Sequence, residues 1–509
     1  MRRFALPGAV LLALAAVFVI AWGTQQGASQ ATALAGQSAA VTSITRSCPP
    51  SAPGAGTARI SMVALPARGD SAGSGGTTST GSATFSAVFA APAATTSGTT
   101  SGAGSTATGG KASANSKGQQ PVTVSTPGTL MTVTAPGAGG TAVAATGKMA
   151  EGFEAEQSDA SGTGLVSCTH AGSDMWFAGT GLADGASQVW LYLMNSGNLT
   201  ASVDVTILTD TGAQNGLSNA ITIAPNQSVA ENVTPYVQGS QAVALHVQTT
   251  TGQVAASAWE GSGSGGAWLP QANAPSTSLV IPGLTVASSA AKLIVVVPGS
   301  SAAQLKVVAY TPAGAVNQFP GTPVDASANA ATPFALSSLG ASAAGLQLTS
   351  NQPIVAGVLV PGTGIGSFTT AVPPITEQGV VAGNPATRGD TVGLLLTAPS
   401  GAAQASISVV AEDGSVTTPS ADQSVTVAAG HTLAVAVARP AAGGRQPFAI
   451  VVTPKHGSGP LYAVRVVTSG TGGLTAPLTS LLPVSSAMTS ITLPPAQDSY
   501  TAVLPAATG

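Results

Sequence analysis

The segment VWLYLMNSGNLTASVDVTILTDTGA, Val189–Ala213, decides the fold class. In its second half Val203, Val205 and Ile207 alternate with the polar Asp204 and Thr206. A period of two marks a strand with one face in a core. Asn195-Ser196-Gly197-Asn198 before that strand and Asp210-Thr211-Gly212 after it are turn clusters. Ala220–Ile223 and Ala242–Val247 alternate in the same way, and no amphipathic helix follows the N-terminal segment.

The pattern returns as KLIVVVPGSSAAQLKVVAYTPAGA (Lys292–Ala315) and as TVGLLLTAPSGAAQASISVVAEDGS (Thr391–Ser415). The turn glycines Gly212, Gly314 and Gly414 keep the register, with a spacing of about a hundred residues. Each copy later carries an apolar strand that runs into a glycine turn: VAASAWEGSG from Val254, IVAGVLVPGTG from Ile354, YAVRVVTSGTG from Tyr462. A more degenerate copy runs from RISMVALPARG (Arg59) through TFSAVFAAP (Thr84) to TAVAATGKMAEG (Thr141). These copies predict an all-β chain of tandem immunoglobulin-like β-sandwich repeats after one N-terminal apolar helix. A closed ring or propeller-like array is the alternative. The C-terminal stretch from Thr489 resembles the opening of a repeat and is expected to be a short cap. Its alternative role is a strand that completes the first unit and closes the array. The expected divisions are 1–35, 41–167, 168–275, 276–378, 379–480 and a C-terminal strand segment at 481–509.

Only 6% of the residues are charged while 44% are apolar, and the formal net charge is −3. Disordered chains are poor in apolar residues and rich in charge, so this one is expected to fold over most of its length. After Arg2 and Arg3 there is no basic cluster of the kind that displaces phosphate counterions, which excludes nucleic acid as the expected partner. Arg2-Arg3 precede an uncharged apolar run, Phe4–Trp22, and the small residues Ala33-Leu34-Ala35 follow. That is an export element, expected to stay as a signal anchor in the cytoplasmic membrane, with secretion after cleavage near Ala35 as the alternative. The rest of the chain then lies outside the cytoplasm. There, Cys48 and Cys168, the two cysteines of the chain, are expected to form a disulfide, with two buried thiols as the alternative.

Each chemical candidate has a plainer competitor. Gly69-Asp70-Ser71-Ala72-Gly73 has the G-x-S-x-G spacing of a nucleophile elbow, yet no helix follows it, so a chance match in a Gly/Ser-rich chain is expected. His170, His246, His431 and His456 show no zinc-ligand spacing, and His246, alternating with apolar residues, is expected to face solvent. No catalytic, metal or cofactor residues are assigned. Trp190 aligns with Leu293 and Leu394, which predicts a buried position. Trp259 and Trp268 flank the turn at Gly261–Gly266 and are candidates for stacking on sugar rings, against packing in a core. The Ser/Thr/Gly-rich stretches Gly69–Gly81 and Ala93–Gln120 read as loops open to O-glycosylation.

The run from Cys168 to Ala213, in which a Cys and Trp176-Phe177 precede an apolar strand, an Asn-containing turn and a V-x-V-x strand, resembles actinobacterial envelope proteins of domain-of-unknown-function family 5719. Ser47-Cys48-Pro49 and the N-terminal apolar segment are similar to that family as well. The resemblance implies an exported, membrane-tethered protein and brings no catalytic residues. The expected function is that of a non-enzymatic envelope scaffold that binds a wall polymer or a membrane partner. A carbohydrate-binding protein is the alternative, and a serine hydrolase at Ser71 the remote one.

Overall fold

The computed structural model describes residues 37–493, apart from internal stretches at 66–80, 92–120, 160–163, 216, 218–219, 263–264, 286–290, 321–323, 337–338, 340–342, 363, 386–388, 420–423 and 441–445. The N-terminal apolar segment and Ser71 lie outside the described residues, as does most of the two Ser/Thr-rich stretches. The described chain is all-β; its helical turns are short 3₁₀ segments such as Gly147–Met149.

One strand pattern occurs four times. In the second unit the seven main strands are Asp174–Gly179, Gln188–Asn195, Ala201–Thr209, Gln227–Asn232, Val243–Thr251, Ala255–Ser262 and Gly265–Leu269. The first pairs with the fifth and the fifth with the third in one sheet. In the other sheet the second lies between the fourth and the sixth, and the seventh follows the sixth. The first unit repeats this order from Ser43–Cys48 to Leu165–Ser167, and the fourth from Gly379–Asn384 to Leu478–Pro483. In the third unit, from Ser276–Leu284 to Ser367–Thr370, the fifth and sixth strands are one continuous strand, Ala344–Val360, which serves both sheets. In the second, third and fourth units the turn after the third strand uses Gly212, Gly314 and Gly414 at φ of 106°, 120° and 80°, a backbone region that favours glycine. The last seventh strand crosses the expected boundary at residue 480, because its pairing with Tyr462–Ser469 continues to Pro483.

Each unit holds its own core between its two sheets; in the first unit Ile60, Met62, Phe85, Val143 and Phe153 fill it. The outer sheet faces are apolar too, and each is covered by the next unit. Trp176, Ala178 and Leu208 of the second unit pack on Ile294, Val296 and Val355 of the third. Leu395, Val464 and Val466 of the fourth unit join the core of the third. Val166 of the first packs with Tyr192, Trp259 and Trp268 of the second. The fourth unit then meets the first, through Val380, Ala382, Val410 and Val451 against Val63 and Leu130. Residues Val41–Thr489 thus form a closed cycle of four units, and Val41 N donates to Thr489 O at 3.1 Å where the two ends of that body meet. A separate two-stranded ladder pairs Gln37–Ala40 with Ser490–Leu493 antiparallel. Just before that stretch, Ser485–Ser486 pair with Gly379 and Val380 of the fourth unit.

Glycine permits the close approach of neighbouring units. A Cβ on Gly283 would fall 2.7 Å from Leu395 Cβ and 2.8 Å from Val464 Cγ1. Gly283→Val is therefore expected to lower stability by about 1–3 kcal/mol through overpacking of the junction between the third and fourth units. Gly299→Ala, where a Cβ meets nothing within 4 Å, is expected to change it little. Denaturant midpoints of the two variants check this.

A candidate axial cavity

After its seventh strand each unit sends a short segment back along its own first strand. Thr169 bridges to Ser47, and Ala272 to Trp176. Val372 N donates to Val280 O at 3.1 Å, and Ser486 pairs with Gly379. These equivalent segments meet around a cavity of about 290 Å³. Its walls are mainly apolar, with Phe177, Trp268, Leu269, Val372 and Leu482 among them. Polar groups enter from the first and second units: Arg46, Glu154, Ser257, Gln271 and Asn273, with His170 exposed at the rim.

In the first unit, Cys48 and Cys168 form a disulfide, Cα atoms 4.2 Å apart, which ties the returning segment to the end of the first strand. It closes a loop with a sequence separation of 120 and contributes about 5 kcal/mol in the chain-entropy model. The equivalent segments of the other units carry no disulfide and pair through the backbone, and in the fourth unit Ser486 Oγ also accepts from Thr376 N at 3.1 Å. Beside the disulfide, Arg46 Nη2 donates to Glu154 Oε1 at 2.5 Å, both side chains nearly buried. Burial pushes the Glu154 carboxyl up to about 7 against the pull of Arg46. Arg46 Nε and Ser257 Oγ have no hydrogen-bond partner among the described residues.

Two further carboxylates are buried, Glu156 at a junction between units and Glu260 inside the second unit. Glu156 Oε2 accepts from Gly383 N at 2.9 Å, linking the first unit to the fourth, where Arg465 supplies the nearest positive charge. Glu260 accepts from Thr180 N at 3.1 Å, Thr180 Oγ1 at 3.1 Å and Gly181 N at 2.9 Å. Burial raises both carboxyls to about 7 as well.

Trp259 and Trp268 take the packing alternative, while the expectations for Trp190 and His246 need correction. Trp259 is 2% exposed and Trp268 9%, packed with Val166 and Tyr192, so their rings fill a junction between units. Gly261 and Gly266 make room for that packing, since a Cβ on either would collide with the Trp259 indole. Trp190 is only half-buried, its Nε1 donating to Gln188 Oε1 at 3.1 Å. His246 does not simply face solvent: it is half-buried, stacks on Trp176 at 3.7 Å between ring centroids, and its Nε2 lies 3.0 Å from Asp174 Oδ1. Among the cavity residues the sequence singled out Cys168, His170 and Trp268, while Arg46, Ser257, Gln271 and Asn273 were missed because no motif joins them. The signal available was carboxylates inside the sixth-strand segments FEAEQS and AASAWEGS.

Fold and cavity together define an all-β protein of four equivalent two-sheet units, the first of which carries a disulfide. The family model described as a family of unknown function, DUF5719, matches residues 112–438, and the chain belongs to that family. Comparison with curated proteins and with solved structures returns no match.

The three raised carboxyls set a direction for pH dependence. The folded chain holds protons that the unfolded chain releases at its ordinary carboxylate pKa of 4.5, so stability falls as pH rises from there through about 7. Melting temperatures measured across that window are expected to decline. Glu260→Gln, neutral at every pH, is expected to flatten the decline.

Proposed function

We propose that the chain works outside the cytoplasm as a non-enzymatic envelope protein, tethered to the cytoplasmic membrane through its N-terminal apolar segment. Its body would act as a rigid module that presents its outer surface to a wall polymer or a membrane-bound partner. The observation that carries this reading is the Cys48–Cys168 disulfide inside a body whose four units are all buried against one another. Disulfides persist in oxidising compartments, and closed packing suits a fixed platform better than a moving catalyst. The low charge of the chain, 6%, agrees with a surface of Ser, Thr and Gly exposed to a matrix.

We also infer that the units are immunoglobulin-like. The order first-fifth-third opposite second-sixth-seventh corresponds to the B-E-D and C-F-G strands of that fold. The first immunoglobulin strand is then replaced by the returning segment, and the fourth strand here is an addition beside the second.

The test is made in intact cells. The chain is expected in the membrane fraction, with Cys48 and Cys168 resistant to alkylation until a reductant is added. A photo-crosslinker placed at Leu199 or Val416, 70% and 60% exposed, is expected to capture an envelope component. A cytosolic chain with free thiols would contradict the proposal.

A further inference from the structure

We propose that the axial cavity is a binding site for a small neutral amphiphile, with an apolar body of about ten non-hydrogen atoms and one uncharged head that accepts hydrogen bonds. The size follows from the volume: about 290 Å³ divided by the roughly 30 Å³ that a water molecule occupies in the liquid gives about ten atoms of that size. Small-molecule sites begin near that volume and combine apolar walls with a few convergent polar groups. Both features are present. Phe177, Trp268, Leu269, Val372 and Leu482 supply apolar surface.

The head group follows from the polar atoms. Ser257 is 2% exposed and its Oγ has no partner among the described residues; Arg46 is 7% exposed and its Nε has none. Leaving such groups unpaired in a buried place costs about 1–3 kcal/mol each. Both residues line the cavity and both can donate, so an occupant with an accepting oxygen relieves two unmet donors at once.

The charge balance excludes an ionic head. At pH 8, the pH of the test below, Glu154 is ionised and pairs with Arg46 at 2.5 Å, so an added anion meets a carboxylate and an added cation meets a guanidinium. Burying a third charge without a partner is disfavoured on either side. A hydroxyl or carbonyl avoids the conflict.

The function of the site is independent of where the chain resides in the cell, so its test uses purified full-length protein held soluble in amphipol at pH 8. Decanol, decanoate and decylammonium share one chain length and differ only in head charge. Titration is followed by the fluorescence of Trp268 against a Trp268→Phe control. Decanol is expected to bind saturably at one site, at least about tenfold tighter than either ion. Ser257→Ala is expected to weaken decanol about fivefold, which is the size of one neutral hydrogen bond, with an unchanged melting temperature. Val372→Phe, which adds bulk to the cavity wall, is expected to abolish saturable binding. Equal binding of all three heads, tighter binding of decanoate, or a Ser257→Ala variant that binds decanol as the native chain does would each overturn the proposal.

Discussion

The covering of both faces of every sheet governs this protein. A two-sheet unit normally hides its inner faces and leaves its outer faces to water. Here the outer faces carry Ile294, Val296, Val355, Val380, Ala382 and Val464, all buried to 6% exposure or less. Such a unit standing alone would expose an apolar face and risk aggregation. Packing each unit on the next solves the problem for every unit except the ends of a line. Contact between the fourth unit and the first removes the ends.

Closure accounts for details that look unrelated. Glycines at Gly283, Gly345 and Gly357 occur where strands of neighbouring units come too close for a side chain. Gly345 sits against Thr397, and Gly357 against Ala178. One buried carboxylate also stands at a junction, where Glu156 takes the backbone N–H of Gly383 from the neighbouring unit. The cavity is a further consequence. Segments that return along each first strand approach a common axis, and their small and polar residues do not fill it.

Much of this was legible in the sequence, at different depths. The repeat and its strands follow from alternation in VDVTI and from glycine turns, because both are local properties of the backbone. The disulfide followed from cysteine number and the expectation of export. The closed packing was also written there, in runs such as KLIVVV, whose alternate residues serve two different cores: Leu293, Val295 and Val297 their own, Ile294 and Val296 the neighbour's. Continuous apolar runs of that kind mark strands buried on both faces. The cavity was not legible. Arg46, Glu154 and Ser257 lie in three separate strands, and only the return of each chain segment to its first strand brings them together. Trp190 misled through register: Leu293 and Leu394 point into their own cores, whereas in this strand Val189, Leu191 and Leu193 do so and Trp190 shares the opposite face with Tyr192.

The contact between the fourth unit and the first is the claim on which the rest stands, and it joins residues far apart in sequence. A Cβ on Gly383 would lie 3.4 Å from Ser61 Cβ, close to the separation of about 3.5–4.5 Å found across disulfides. The direct measurement is the oxidation state of a Ser61→Cys, Gly383→Cys double variant under native conditions, read by peptide mapping and gel mobility. A closed cycle predicts a single crosslink within one chain, formed without added denaturant. Two free thiols, or crosslinks only between chains, would mean that the units form an open line.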